Sequence, residues 1–185
     1  MGSALPMGNA SVMLSAMQPQ QPVRPSVRLR PVADEDRADV LALNQAEVEM
    51  LAPMDEPRFH ELRRLADRFD VVEVDGMFAG FVITFGPGSA YDSENYRWFS
   101  ARHGERFSYL DRFVLRAEHR RLGIGGFVYD EVEKAAAPYG LMALEVNLVP
   151  RNDPSLAFHA GRGYTEVGRL GDADHLVSLM EKRVP

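Results

Sequence analysis

The run Arg120-Arg121-Leu122-Gly123-Ile124-Gly125 has the residue types and spacing to do chemistry on an anion. It lies between a stretch that alternates like a strand, residues 107–115, and one with helical spacing in Phe127, Val128 and Val132. A glycine-rich turn there leaves backbone N–H groups unpaired at the positive end of a helix dipole, which suits a phosphate or pyrophosphate. Gly123 and Gly125 allow positive φ and close approach of a ligand to the backbone, and Arg120 and Arg121 add positive charge. A plain tight turn would read the same way. The run has neither the G-x-G-x-x-G spacing of a dinucleotide fold nor the Lys-Ser/Thr ending of a P-loop. Just before it, alternation puts Tyr109, Asp111, Phe113 and Leu115 on one strand face and Ser108, Leu110, Arg112 and Val114 on the other. A carboxylate on an apolar face needs a use or a partner. Asp111 is therefore either a reactive group or one half of a salt bridge, with Arg112 or Arg97 as the other half. His60, His103, His119 and His175 show no paired spacing with carboxylates, and cysteine is absent, so no metal site is expected and thiolate catalysis is excluded.

The elements that must position these groups follow from periodicity. A short strand at 27–31 precedes a helix opened by Asp34-Glu35-Asp36 and carrying Val40, Leu41, Leu43, Val48 and Leu51. A second helix carries Phe59, Leu62 and Leu65. Two strands flank Asp75-Gly76, a strong hairpin signal. Residues 87–106 are long for a connection and hold Tyr91, Tyr96, Trp98 and Phe99, which either pack the loop down or meet a ligand. After the helix that ends at Pro138 and Gly140 come an apolar strand over 141–148, a short helix opened by Asn152-Asp153-Pro154, and a final hairpin. The order is β-α-α-β-β-β-α-β-α-β-β.

The chain has 185 residues, enough for one domain with its own core, expected over 27–185. Residues 1–26 hold four Pro, three Gln and no acidic residue, and are expected to form an arm or tail. No apolar run is long enough to span a bilayer, and nothing in the first residues suggests a secretory signal. With Lys+Arg at 21 against Asp+Glu at 27 the net charge is -6, which argues against general nucleic-acid binding but leaves room for a local anion site. The lack of cysteine is compatible with a cytoplasmic location.

Two blocks then resemble the GNAT acetyltransferase superfamily. Arg120, Gly123 and Gly125 match its Gln/Arg-x-x-Gly-x-Gly/Ala signature, and Asn152 followed by the run from Ser155 to Tyr164 is similar to its second block. The resemblance extends from about Val27 to the C-terminus. Tyr91-Asp92-Ser93, the run from Asn95 to Phe99 and Glu145-Val146-Asn147 look most similar to a group of RimI-like acetyltransferases.

The resemblance implies an α/β (α+β) acyl-CoA N-acyltransferase fold, with a mixed, mostly antiparallel central sheet flanked by helices. It implies acetyl-CoA as co-substrate, no metal, and acetyl transfer to a primary amine of a small molecule or peptide without a covalent enzyme intermediate. A non-catalytic acyl-CoA sensor with the same fold is the alternative, and another phosphate-ligand binder a more distant one. The family's cofactor site carries over to Phe113, Val114, Leu115, Arg116, Arg120, Arg121, Leu122, Gly123, Ile124, Gly125, Gly126, Asn152, Ser155 and Phe158. The strand before the turn is expected to splay from its neighbour and pair with the pantetheine arm. Catalysis falls on Asp111 as base, with Tyr109 beside it, and on His159, which stands where relatives place the leaving-group acid Tyr. Asn44, Glu47, Tyr96 and Trp98 fall on the acceptor side. No partner nucleic acid or membrane is implied, and the family allows a homodimer.

Overall fold

A computed structural model describes Met1 and residues 25–185; the expected arm over 1–26 lies almost wholly outside the described residues. Seven strands form one sheet in the order β1-β2-β3-β4-β5-β7-β6. They are β1 Val27–Pro31, β2 Arg68–Val74, β3 Met77–Phe85, β4 Ser108–Leu115, β5 Leu141–Val149, β6 Thr165–Gly171 and β7 Leu176–Arg183. Every neighbouring pair is antiparallel except β4 and β5, which are joined through the helix that follows the glycine turn.

The helices are α1 Arg37–Ala46, α2 Glu56–Leu65, α3 Glu94–His103, α4 Ile124–Ala136 and α5 Asp153–Gly161. Five helices therefore stand where the sequence order has four. The added one, α3, fills the long connection before β4, and Ser93 caps it by accepting from the Tyr96 N–H. Its periodic signal is faint because only Tyr96 and Phe99 of its ten residues are buried. At α1 the helix stops at Ala46, so Val48 and Leu51 belong to the following turn and loop rather than to the helix. The hairpin between β2 and β3 is tight: Asp75 and Gly76 take φ of 52° and 81°, as a two-residue primed turn requires.

Two apolar layers sandwich the sheet. On one face Val40 and Leu43 of α1, Phe59 and Leu62 of α2, and Tyr96 and Phe99 of α3 pack on Val71, Phe81 and Phe85. On the other, Ile124, Val128 and Val132 of α4 pack on Val82, Leu110 and Leu144, with Leu156 and Phe158 of α5 at the border. Phe59, Phe81, Phe85 and Phe99 are fully buried, and each contributes about 1.5–3 kcal/mol. This bilayer of helices fixes the two strands between which the site opens. Among the described residues no helix is long and apolar enough to cross a membrane.

Candidate active site

Strands β4 and β5 pair only at Ser108 with Met142, Tyr109 with Ala143 and Leu110 with Leu144. Beyond these rungs they splay, and the β5-facing backbone groups of residues 111–115 open into a cleft. The expected splay is present. A cavity of about 1120 Å³ fills the gap, bounded by the α1–α2 connection, β4, β5, and the starts of α4 and α5.

The alternation expected along β4 is broken. Thr84 pairs with Leu110 while the adjacent Ile83 pairs with Arg112, so Asp111 is an extra residue in a β-bulge. The bulge reverses the faces beyond it. Tyr109 and Val114 share one core layer, whereas Leu110, Phe113 and Leu115 share the other, so the sequence grouping of Tyr109 with Phe113 and Leu115 is corrected.

At the other end of the cleft, Arg121 and Gly123 take left-handed φ of 63° and 81°, and Gly123 caps α4. Gly125 lies inside the helix at ordinary φ, so positive φ falls on Arg121 and Gly123 rather than on both glycines. A Cβ at Gly125 would reach the Phe113 and Phe158 rings at 3.6 and 3.7 Å, ordinary contacts, so the protein's own packing does not demand glycine there. Gly123, Gly125 and Gly126 line the cavity with Arg120 and Arg121. Arg120 is held by the Leu115 carbonyl, to which its Nε donates at 3.0 Å, and by Glu47, whose carboxylate accepts from Nη2. Asn152 caps α5 by accepting from the Ser155 N–H at 3.1 Å, and Asn152, Ser155 and Phe158 all border the cavity. So do Phe113, Val114 and Leu115.

Three residues of the expected cofactor set face elsewhere. The Arg116 guanidinium binds Asp39 at 2.6 Å and lies over the Phe78 ring; Leu122 points into solvent at 58% exposure; Ile124 is a core residue of α4. At Leu122 and Ile124 the expected contact is through the backbone, so the outward or core-facing side chain leaves that expectation standing.

The acceptor side also differs from expectation. Tyr96 is buried, with its hydroxyl donating to the Gly86 carbonyl and accepting from the Ser89 N–H. Trp98 packs on Gly168 of β6, where a Cβ would come within 2.8 Å of its ring, and carries the Arg102 guanidinium on its face. Neither borders the cavity, because α3 turns its aromatics onto the sheet. Asn44 is wholly buried, bridging the Ala52 carbonyl and Arg112. Glu47 does line the cleft, paired with Arg120.

Asp111 is committed on both oxygens. Oδ1 accepts from the Tyr91 hydroxyl at 2.5 Å and Oδ2 from Arg112 Nε at 2.6 Å, and its side chain is 6% exposed. The expected salt bridge to Arg112 is therefore present. Tyr109, also fully buried, donates its hydroxyl to Glu145 Oε2. Glu145 of β5 is the carboxyl that lines the cavity just past the last rung between β4 and β5, partly open on that side and enclosed by protein on the others. Burial, then the nearby Asp111 charge, push its pKa up to about 8, against the lowering pull of the Tyr109 and Asn95 hydrogen bonds and Arg112. A carboxyl with a pKa near the working pH is suited to accept and release protons.

His159 is buried, and burial lowers its pKa. Its Nδ1 lies 2.7 Å from the Ser155 carbonyl, which can only accept, so Nδ1 carries the proton. Nε2 then accepts from the Tyr129 hydroxyl at 2.6 Å. Both ring nitrogens of His159 are thus engaged within the protein, and it reaches the cavity beside the Tyr129 hydroxyl. Tyr129, one helical turn beyond Gly125 and lining the cavity, is the hydroxyl it holds.

Glu145, Tyr91 and Tyr129 were missed as site residues from sequence. The one signal was a lone acid in the apolar run of β5, since a buried carboxyl is rare without a role.

A parallel pair split open beside a glycine-led helix N-terminus, with a raised-pKa carboxyl at the fork, defines a site for an extended anionic cofactor and a proton-bearing acceptor. The sequence profile of the Acetyltransferase (GNAT) family matches residues 35–164, and the chain belongs to this family. It is an acetyl-CoA-dependent N-acetyltransferase. It is 29% identical over 163 residues to a phosphinothricin N-acetyltransferase of Streptomyces viridochromogenes, covering 83% of this chain and 82% of the relative. In fold it is similar to Ard1 from Thermoplasma volcanium, with a TM-score of 0.67, 18% identity and coverage of 86% and 98%. It is also similar to yncA from Salmonella typhimurium with its cofactor acetyl-CoA, with a TM-score of 0.62, 15% identity and coverage of 86% and 94%.

Proposed function

We propose that residues 27–185 act as a single domain that acetylates a primary amine of a small molecule or peptide, with Glu145 as the base. The observation that carries this reading is the Glu145 carboxyl, raised to about 8, standing where β4 and β5 part. The turn amides at Gly123, Gly125 and Gly126, with Arg121, hold the pyrophosphate of acetyl-CoA at the positive end of α4. The unpaired backbone of β4 beyond the bulge pairs with the pantetheine arm and supplies N–H donors to the thioester oxygen.

The acceptor arrives as an ammonium and loses one proton to the Glu145 carboxylate. Its nitrogen then attacks the thioester carbon: the C–N bond forms, the C–S bond breaks, and the electron pair leaves on sulfur. The second nitrogen proton ends on that thiolate, giving the free thiol and an amide. Tyr109 orients Glu145, Asp111 tunes its charge, and the His159–Tyr129 pair shapes the cavity wall. The lack of cysteine supports a cytoplasmic enzyme.

Thiol release from acetyl-CoA, followed across a panel of primary amines, tests the activity. Calorimetry with acetyl-CoA separates an enzyme from a sensor, which would bind without turnover. A chain that neither bound nor turned over acetyl-CoA would sink the reading.

A further inference from the structure

The acceptor half of the cavity is walled by Met50, Leu51, Pro53, Tyr91 and Val177, with charged groups at fixed places among them. Its two arginines are both committed. Arg112 is 3% exposed; its Nε holds Asp111 and its Nη1 holds Asn44 and the Ala52 carbonyl, so the fork cannot turn to another anion. Arg58 lies over the Tyr91 ring and spends Nη1 on Glu61 at 2.7 Å and Nη2 on Asp92 at 2.6 Å. Arg120 is bound by Glu47, and Arg121 belongs to the glycine turn at the opposite end of the cleft. His175 is exposed in the turn just before β7.

Carboxylates outnumber arginines on this side: Glu49, Asp92, Asp111 and Glu145 face Arg58 and Arg112. A substrate carboxylate carried next to the reacting amino group would lie beside Glu145, where Arg58 and Arg112 are already paired with the protein's own carboxylates. Like charges brought together out of water are strongly disfavoured. An ammonium meets the opposite situation, because its proton is wanted by Glu145 and its charge is welcome.

We infer that the acceptor is a primary amine on an apolar body with no carboxylate beside the amino group: an alkyl or aralkyl amine, or an amino group whose neighbouring carboxyl is already an amide. This inference rests on the acetyltransferase reading above and narrows its substrate. Specificity here comes from repulsion as much as from attraction.

The test uses sets matched for shape, assayed by thiol release at pH 8: phenethylamine, L-phenylalaninamide and L-phenylalanine, then tryptamine, L-tryptophanamide and L-tryptophan. The amide keeps the bulk of the amino acid without its charge. The amide and the amine are expected to exceed the amino acid in kcat/KM by about tenfold or more. Phosphinothricin, which carries a carboxylate and a phosphinate, is expected to be as poor as the amino acids. An amino acid or phosphinothricin used as well as the amide would overturn this inference while leaving the acetyltransferase intact. Silence of every compound over bound acetyl-CoA, seen by calorimetry, would overturn both.

Discussion

The Tyr109 hydroxyl donates to the Glu145 carboxyl between adjacent strands, at the end of the short ladder where β4 and β5 still pair. Tyr109 sits on a rung, opposite Ala143, and Glu145 is the first residue of β5 past the last rung. The contact therefore ties the closed part of the sheet to the open part, and it fixes the proposed base at the fork.

If Glu145 is the base, kcat/KM rises with pH through about 8, as its carboxyl loses the proton that burial and Asp111 help to retain. Glu145→Gln should remove that limb and lower kcat about 10²- to 10⁴-fold. A pH–rate profile of both proteins decides it; an unchanged limb in the variant would assign the base elsewhere.

Asp111→Asn separates the two carboxyls. Asp111 raises the Glu145 pKa, so its neutralisation should move the kcat/KM limb to lower pH rather than erase it. The same change leaves Arg112 buried without its counter-ion and costs about 3–5 kcal/mol of stability, read as a lowered denaturant midpoint. Complete loss of the limb in a folded variant would return Asp111 to the role of base.

The same Glu145 substitution should stabilise the fold, increasingly so as pH rises. A carboxyl whose folded pKa of about 8 lies above its ordinary 4.5 holds its proton more tightly when folded. The stability it contributes is complete below about 4.5 and is lost as pH rises through about 8. Tm of Glu145→Gln minus Tm of the parent should therefore widen from pH 5 to pH 8; a constant difference would contradict it.

Gly125→Val should fill the cleft beside Phe113 and Phe158 without a left-handed backbone to strain, since Gly125 is helical. KM for acetyl-CoA is expected to rise more than about tenfold, and far-UV circular dichroism to stay as in the parent. Unchanged KM would remove this helix start from the cofactor path.

The sequence made the glycine turn, the hairpin at Asp75-Gly76 and nearly every strand readable, because each carries local chemistry: a φ requirement or an alternation. What it hid was non-local. The bulge at Asp111 has no turn residue to announce it and shows only in how Ile83 and Thr84 pair across the sheet. Assuming unbroken alternation put Asp111 on the face of Phe113 and Leu115. Tyr96 and Trp98 looked like ligand contacts because aromatics in a long connection are conspicuous, yet α3 uses them against Gly86, Ser89 and Gly168. The chemistry of Glu145 is invisible in its local sequence, since its environment is assembled from Tyr109, Asn95 and Asp111 on other elements.

The short ladder has a mechanical side. Among the described residues, the backbones of β1 to β4 and of β5 to β7 meet across the middle only in rungs at Ser108, Tyr109 and Leu110. The sheet is thus two leaves whose backbones are laced along part of one seam, and the helix layers that cross it hold the rest together. A bulkier residue at Ala143, which is fully buried in the core layer with Tyr109 and Phe107, would press outward on that layer and reach Glu145 only through Tyr109, the residue that holds it.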